Sequence, residues 1–283
     1  MYNIIDGNLI SKKILDDCQL KINNLLALSK KIKLCDIIVG NDAASIIYAK
    51  NKKKKFNDYN IDFDLVELSN DITEQELIDK ILEFNTNNEI NGIFIEMPLP
   101  KHINSNKIIN MIDPKKDVDG MNQYNLGSIL NNGKGFYPCT AEGIVRLLKE
   151  YNIDLTGKHC VIVGRSVVVG KPVGLLLLNE NATVTICHSK TENLKEICKL
   201  ADILIVAIGK ANFIDDSFIS ENAIVIDAGI NRIKDNEKQK IVGDVNFDKV
   251  SIKSSYITPV PGGVGPMTTA ILICHCLKTI SNE

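Results

Sequence analysis

The sequence predicts an α/β protein whose second half is a Rossmann-like doubly wound parallel sheet. Three observations predict it. From about residue 156, short apolar runs alternate with helical patterns, with strands at 159–164, 183–187, 203–208 and 223–228 and helices at 171–180 and 192–199. The first of these runs passes directly into Gly164-Arg-Ser-Val-Val-Val-Gly170-Lys-Pro172, a turn with a glycine at each end that opens a helix. Upstream, apolar runs at 35–39, 63–68 and 92–96 are separated by helix-forming stretches in the same alternation. A length of 283 residues accommodates one large or two moderate domains.

In chain order, an amphipathic helix is expected over 8–29, burying Leu9, Ile14, Leu15, Ile22, Leu25 and Leu26. A strand at 35–39 closes at Gly40, and a helix beginning near Ala43 to Ser45 places Tyr48 and Lys52 at i and i+4 on one face. The lysines around Lys52 read as a solvated helix face. Thr73-Glu-Gln-Glu76 is a capping box for a helix ending near 85. The next strand ends at Glu96, where two prolines stop it, and ligands of open α/β sheets gather at the carboxyl ends of strands.

Beyond a short helix, Asp117 and Asp119 lie in an Asp/Gly turn that has no glutamate to close a calcium loop. Residues 127–135 read as a loop. A helix follows to about 151, with Thr140 as N-cap and a bridging position between domains. Gly243-Asp-Val245 and 256–258 read as further strand ends, 259–266 as a Pro/Gly loop, and 267–280 as the last helix.

The turn after residue 163 has the logic of a dinucleotide site. Gly164 permits a sharp turn, Gly170 a close backbone approach to a pyrophosphate, and the helix N-terminus offers free N–H donors; Pro172 suits its first turn. The spacing departs from G-x-G-x-x-G, so taken alone the pair of glycines is equally a plain βα turn. The next strand ends in His188, Ser189 and Lys190, with no carboxylate for a ribose hydroxyl. Arg165 with Ser189, and Lys190 as a third candidate, instead suits a 2′-phosphate, which favours NADP over NAD.

Composition narrows the class further. Thirty-three Lys+Arg against 35 Asp+Glu, a net charge of −2, give no reason to expect nucleic acid or an anionic membrane as partner. No apolar run approaches the roughly 18 residues of a membrane span, and the first residues lack a signal pattern, so a soluble cytoplasmic protein is expected. Eight scattered cysteines read as reduced core residues. The triplet Cys274-His275-Cys276 falls in a helical pattern whose neighbours face different ways, so no metal site is expected.

Taken together, these motifs resemble the bifunctional methylenetetrahydrofolate dehydrogenase/methenyltetrahydrofolate cyclohydrolase family from end to end. The resemblance is carried by Val39-Gly40 with Ala44-Ser45, Tyr48 and Lys52; Pro98-Leu-Pro100; Lys116-Asp-Val-Asp-Gly120; Pro138-Cys-Thr140; and Gly164-Arg-Ser166 with Val169-Gly170 and Pro172. It continues in Ala182-Thr-Val184, Cys187-His-Ser189 and Thr191, then Gly229-Ile-Asn231, Gly243-Asp-Val245 and the run from Thr258 through Pro261-Gly-Gly263 to Thr268. It implies oxidation of 5,10-methylenetetrahydrofolate by NADP+ and hydrolysis of the methenyl product to 10-formyltetrahydrofolate.

The implied organisation is a folate-binding catalytic domain at 1–139 with a returning helix 267–283, an NADP-binding domain at 140–266, and an active site in the cleft. Family members are usually homodimers. Lys52 is implied as the central catalytic group, Tyr48 as a packing surface for the folate and Asp119 as the holder of the pterin. Pro261, Gly262 and Gly263 are implied to line the cleft, and Gly164, Arg165, Ser166, Gly170, Ser189 and Ile230 to bind the cofactor.

One departure concerns chemistry. The family motif Gln-Leu-Pro-Leu-Pro is Glu96-Met-Pro-Leu-Pro here, and the glutamine contacts the catalytic lysine. A carboxylate there pairs with Lys52 and favours its ammonium form, which weakens the cyclohydrolase step; a protonated Glu96 instead mimics the glutamine. The sequence therefore leaves three readings: the bifunctional enzyme, a dehydrogenase with weakened or lost cyclohydrolase, and a silent folate- or NADP-binding protein. A second departure, Ala141 in place of a proline, touches only the start of a helix.

Overall fold

A computed structural model describes residues 2–235 and 238–281. The chain opens with β1 (Asn3–Ile4), α1 (Gly7–Ala27), β2 (Lys33–Val39), α2 (Ala43–Asp58), β3 (Asp62–Leu68), α3 (Glu74–Thr86) and β4 (Gly92–Ile95). Two short helices, α4 (Ser105–Ile109) and α5 (Gln123–Ser128), precede α6 (Cys139–Glu150). Then come β5 (His159–Val163), α7 (Gly170–Asn179), β6 (Thr183–Cys187), α8 (Leu194–Lys199), β7 (Ile203–Val206) and β8 (Ile224–Asp227). The chain closes with β9 (Asn231–Asp235), β10 (Lys238–Val242), α9 (Phe247–Ser251), β11 (Tyr256–Ile257) and α10 (Val264–Ser281).

Two units partition the chain: Ile14–Cys139 with Ile271–Glu283, and Met1–Lys13 with Thr140–Ala270. The division differs from the sequence-based one at the start, because β1 pairs in parallel with β11 and so carries the first residues into the second unit. A two-residue strand offers no periodicity from which to read that partner.

In the first unit β2 is the centre of a parallel sheet of order β3-β2-β4. Side chains alternate along it. Cys35, Ile37 and Val39 pack with Leu77, Ile78, Ile81 and Phe84 of α3 and with Ile93 and Ile95 of β4. Asp36 therefore points to the opposite face. Helix α3 starts at the expected capping box, in which Thr73 and Glu76 satisfy each other's backbone N–H groups. Residues 127–135 are not all loop: α5 and a 3-10 turn at Ile129–Asn131 fill the start of that stretch. Asn122 caps α5 through the Tyr124 N–H, so a composition that reads as loop supplies the helix start instead.

In the second unit six strands in the order β1-β11-β8-β7-β5-β6 are parallel throughout. β5, β7 and β8 run through the middle of the sheet, with Val161, Val163, Leu204, Val206 and Val225 in one buried cluster with Ile257. An antiparallel hairpin, β9 with β10, stands apart from the sheet and has no counterpart in the sequence reading. Thr140 is not an N-cap: α6 begins one residue earlier, and the Thr140 hydroxyl lies 3.2 Å from that of Thr268. Gly243-Asp-Val245 is not a strand; Val245 makes only an isolated bridge with Ile214.

The eight cysteines are free thiols, seven of them buried and Cys274 partly so. Among the described residues no helix is long and apolar enough to cross a membrane.

Candidate active site

The first unit gathers its ionisable groups at the carboxyl end of its sheet. Asp42 caps α2 by accepting the Ser45 N–H, which fixes the helix start and puts Tyr48 and Lys52 one above the other. Lys52 is 2 % exposed. Its Nζ lies 2.8 Å from Glu96, just past β4, and 3.0 Å from Asp36 on β2. It also sits 3.3 Å from the centre of the Phe94 ring and 5.1 Å from that of Tyr48, a cation held over aromatic faces. Glu96 is buried and Asp36 wholly so, while Tyr48 is exposed. The ion pairs are close but not aligned as hydrogen bonds at Nζ, Asp36 Oδ1 and Oδ2, or Glu96 Oε1. Burial pushes the Asp36 carboxyl up to about 7, with the Lys52 ammonium pulling the other way and Glu96 adding to the rise.

Asp119 enters this field from the turn between α4 and α5. The turn is built around Asp117, whose carboxylate accepts from the Asn122 N–H at 2.7 Å and the Asn125 amide at 2.8 Å. Val118 is held by its carbonyl, which accepts from His275 Nδ1 at 2.8 Å and from the Cys139 thiol at 3.2 Å. A carbonyl only accepts, so Nδ1 carries the proton. His275 is thus a buried structural donor that orients the loop, stacked 5.0 Å from Phe136. Asp119 keeps part of its surface open. Desolvation first, and the neighbouring Asp117 second, push its carboxyl up to about 7, opposed by Lys52.

Two cavities of the second unit are lined by residues that the sequence singled out. One, of about 280 Å³, lies at the carboxyl ends of β5, β6 and β7 and is lined by Gly164, Arg165, His188, Ser189 and Lys210 among others. Gly164 has φ +133°, and a Cβ there would come within 2.2 Å of the Ala207 carbonyl, so the turn requires glycine. A Cβ at Gly170 would meet the Gly164 carbonyl at 2.2 Å; packing of α7 onto the turn explains that glycine without any ligand. Ser166 faces the helix: its hydroxyl accepts from the Val169 and Gly170 N–H groups. The other cavity, of about 300 Å³, is lined by Ile230, Pro261, Gly262 and Gly263 with Asn8 and Asp227.

The structure therefore brings Tyr48, Lys52 and Glu96 together, with Asp119 in the same field. Arg165 and Ser189 share one wall of the first cavity, and Lys190 does not line it. Arg165, Ser189 and Lys210 thus bring a guanidinium, a hydroxyl and a second basic residue to one cavity.

Sequence reasoning missed Asp36, Lys210 and the carboxylates of Asp227 and Asp244. Asp244, fully buried, accepts the N–H groups of Ile208, Gly209 and Lys210 at 2.6, 2.9 and 2.7 Å and the Asn231 amide at 2.8 Å. Asp227 accepts those of Gly229, Asp244 and Val245. Burial pushes its carboxyl up to about 6 against these donors. The available signal was a lone acidic residue inside an apolar strand: Cys35-Asp36-Ile37 and Ile226-Asp227-Ala228 both show it.

Comparison with known proteins assigns the two halves separately. Residues 5–119 match the model "tetrahydrofolate dehydrogenase/cyclohydrolase, catalytic domain", and residues 138–283 match its "NAD(P)-binding domain". The bifunctional protein FolD of Agathobacter rectalis is 50 % identical over 280 residues, covering 99 % of each chain. The crystal structure of the bifunctional FolD dehydrogenase/cyclohydrolase from Campylobacter jejuni superposes with a TM-score of 0.97 at 42 % identity, over 100 % of this chain and 99 % of that one. The FolD of Trypanosoma brucei, solved with NADP cofactor and an inhibitor, does so at 0.93 and 31 % identity, over 98 % and 97 %. With both halves matched in order and relatives aligned over nearly the whole length, the chain belongs to the tetrahydrofolate dehydrogenase/cyclohydrolase family.

Proposed function

We propose that the chain oxidises 5,10-methylenetetrahydrofolate with NADP+ and hydrolyses the resulting 5,10-methenyltetrahydrofolate to 10-formyltetrahydrofolate. The observation that carries this reading is Lys52, buried between Glu96 and Asp36 beneath Tyr48 in a chain of this family. The readings as a dehydrogenase without cyclohydrolase, or as a silent binding protein, are not favoured, because relatives aligned end to end are bifunctional proteins.

Each side chain has a part in this chemistry. Tyr48, exposed above the ammonium, offers its ring as a surface for the folate. Asp119 accepts hydrogen bonds from the pterin, which favours its ionised form on binding. Lys52 stabilises negative charge that develops on the attacking water oxygen as it loses its proton, and relays protons with Glu96 during ring opening. Arg165 and Ser189 grip a 2′-phosphate, Gly164 makes the turn beside it, and Ser166 and Gly170 set the start of α7. Ile230, Pro261, Gly262 and Gly263 form an apolar, narrow-backboned wall suited to flat rings. When bound, NADP+ supplies the hydride acceptor. Cytoplasmic location and a homodimer come with the resemblance, and sedimentation of the purified protein tests the second.

The deciding experiment incubates purified protein with 5,10-methylenetetrahydrofolate and NADP+ and follows both products. Formation of the formyl product faster than methenyltetrahydrofolate opens in buffer supports the bifunctional reading. Accumulation of methenyl product that opens only at the buffer rate overturns its second half.

A further inference from the structure

The clamp around Lys52 has a second arm that no motif supplied. We propose that Asp36 is a positioning residue for Lys52: with Glu96 it holds the ammonium from two sides, so that the three groups take up and release protons as one unit during ring opening. The proposal rests on the functional reading above only for its last clause.

The geometry requires the unit. Asp36 and Glu96 lie 3.0 and 2.8 Å from the same Nζ, and all three side chains are at most 7 % exposed. Asp36 stands on the central strand, paired on both sides, where the backbone leaves it no other position. Every other residue of β2 from Leu34 onward is apolar or a thiol. An apolar residue at this position packs without the penalty of burying a charge, so a carboxylate there has a partner to serve.

Two carboxylates and one ammonium carry a net negative charge in a dry site, which favours retention of one further proton. The surrounding groups do not cancel it. From α2 Asp36 faces Lys52 with Tyr48 one turn earlier, from the end of β4 Glu96, and beyond these Asp119; α10 brings the Cys276 thiol near Lys52. Cys35, its neighbour on β2, points to the other face.

Ring opening moves two protons. The water oxygen bonds to the one-carbon unit, one water proton ends on the nitrogen whose C–N bond breaks, and the other leaves to solvent. A clamp that accepts a proton at one carboxylate, with the ammonium between the two, serves both transfers. Its charge changes at Asp36, which is wholly buried.

The test separates the clamp from the reaction. Protein labelled with carbon-13 at its aspartate carboxyls is titrated without substrate over about pH 5–9, and the Asp36 signal is identified by its loss in Asp36→Asn. Glu96→Gln should lower the Asp36 midpoint by about one unit or more, and Lys52→Gln should raise it. An Asp36 midpoint unmoved by both substitutions overturns the clamp. With substrate, Asp36→Asn should lower kcat for methenyl opening about tenfold, keep KM within about twofold and flatten its pH profile, since the amide keeps the shape but cannot take a proton. Parental kcat and pH profile in Asp36→Asn overturn the role in catalysis. If the unmodified protein itself turns over neither folate, the functional reading falls, while the titration still decides the clamp.

Discussion

Replacing Asp244 by asparagine should loosen the cofactor unit in a way that can be worked out from its hydrogen bonds. One carboxylate oxygen accepts from Ile208 and Gly209, the other from Lys210 and the Asn231 amide. An asparagine must place its NH2 group against one of these pairs of donors. The less costly choice turns it toward Lys210 and Asn231, because the Asn231 amide can flip to accept while a backbone N–H cannot. The part-buried N–H of Lys210 is then left without an acceptor, at about 1–3 kcal/mol, and the remaining bonds lose their ionic reinforcement. The total is about 3 kcal/mol. For a unit of roughly 150 residues that lowers Tm by about 6–12 °C.

The same loop lines the cavity of Arg165 and Ser189, so the NADP+ dissociation constant should rise about tenfold, one pKa-sized step in free energy. Calorimetric unfolding and fluorescence titration with NADP+ measure the two quantities. A Tm within about 2 °C of the parent, or tighter NADP+ binding through loss of a negative charge, would refute the reasoning.

Four further predictions concern the other side chains. Lys52→Met leaves two buried carboxylates without a cation; it should destabilise the protein by about 3–5 kcal/mol at pH 8, and by less near pH 5, where Asp36 is protonated. In the parent, burial raises Asp36 from 3.8 to about 7. The stability linked to its bound proton is therefore complete below the unfolded value and is lost as pH rises through about 7, a slope seen in chemical unfolding at several pH values. Because Asp119 is also raised to about 7, a pterin that needs its carboxylate should bind up to about tenfold more weakly for each pH unit below that value, a dependence absent in Asp119→Asn. Arg165→Met should raise the KM for NADP+ by about tenfold or more while leaving that for NAD+ nearly unchanged, as initial rates with the two cofactors will show.

Local rules carried much of the fold. The capping box at Thr73 and Glu76, the period of the strands and the strand-turn-helix at Gly164 depend on residues a few positions apart, and their energies are local. They fail where local chemistry is ambiguous. The end of α5 and a 3-10 turn take up the start of the loop expected at 127–135, and the polar hairpin of β9 and β10 shows no buried face among its described residues from which to infer its pairing.

Read alone, the chain already marks the two α/β halves, the motifs of the family and the residues Tyr48, Lys52, Glu96, Asp119, Arg165 and Ser189 as the ones to watch. It also placed Glu96 against Lys52, as an ion pair or as a protonated mimic of the glutamine. Only the tertiary structure decided how that charge is balanced. Asp36, Lys52 and Glu96 come from three different elements, and parallel pairing of β2 with β4 and the seat of α2 converge them on one buried ammonium. In the other half, Asp227 and Asp244 look like interchangeable acids in the chain, yet burial aims each at a separate set of backbone N–H groups and so shapes the loops beside both cavities. Burial and long-range convergence set the strength of a charge, and neither is a property of a residue's neighbours in sequence.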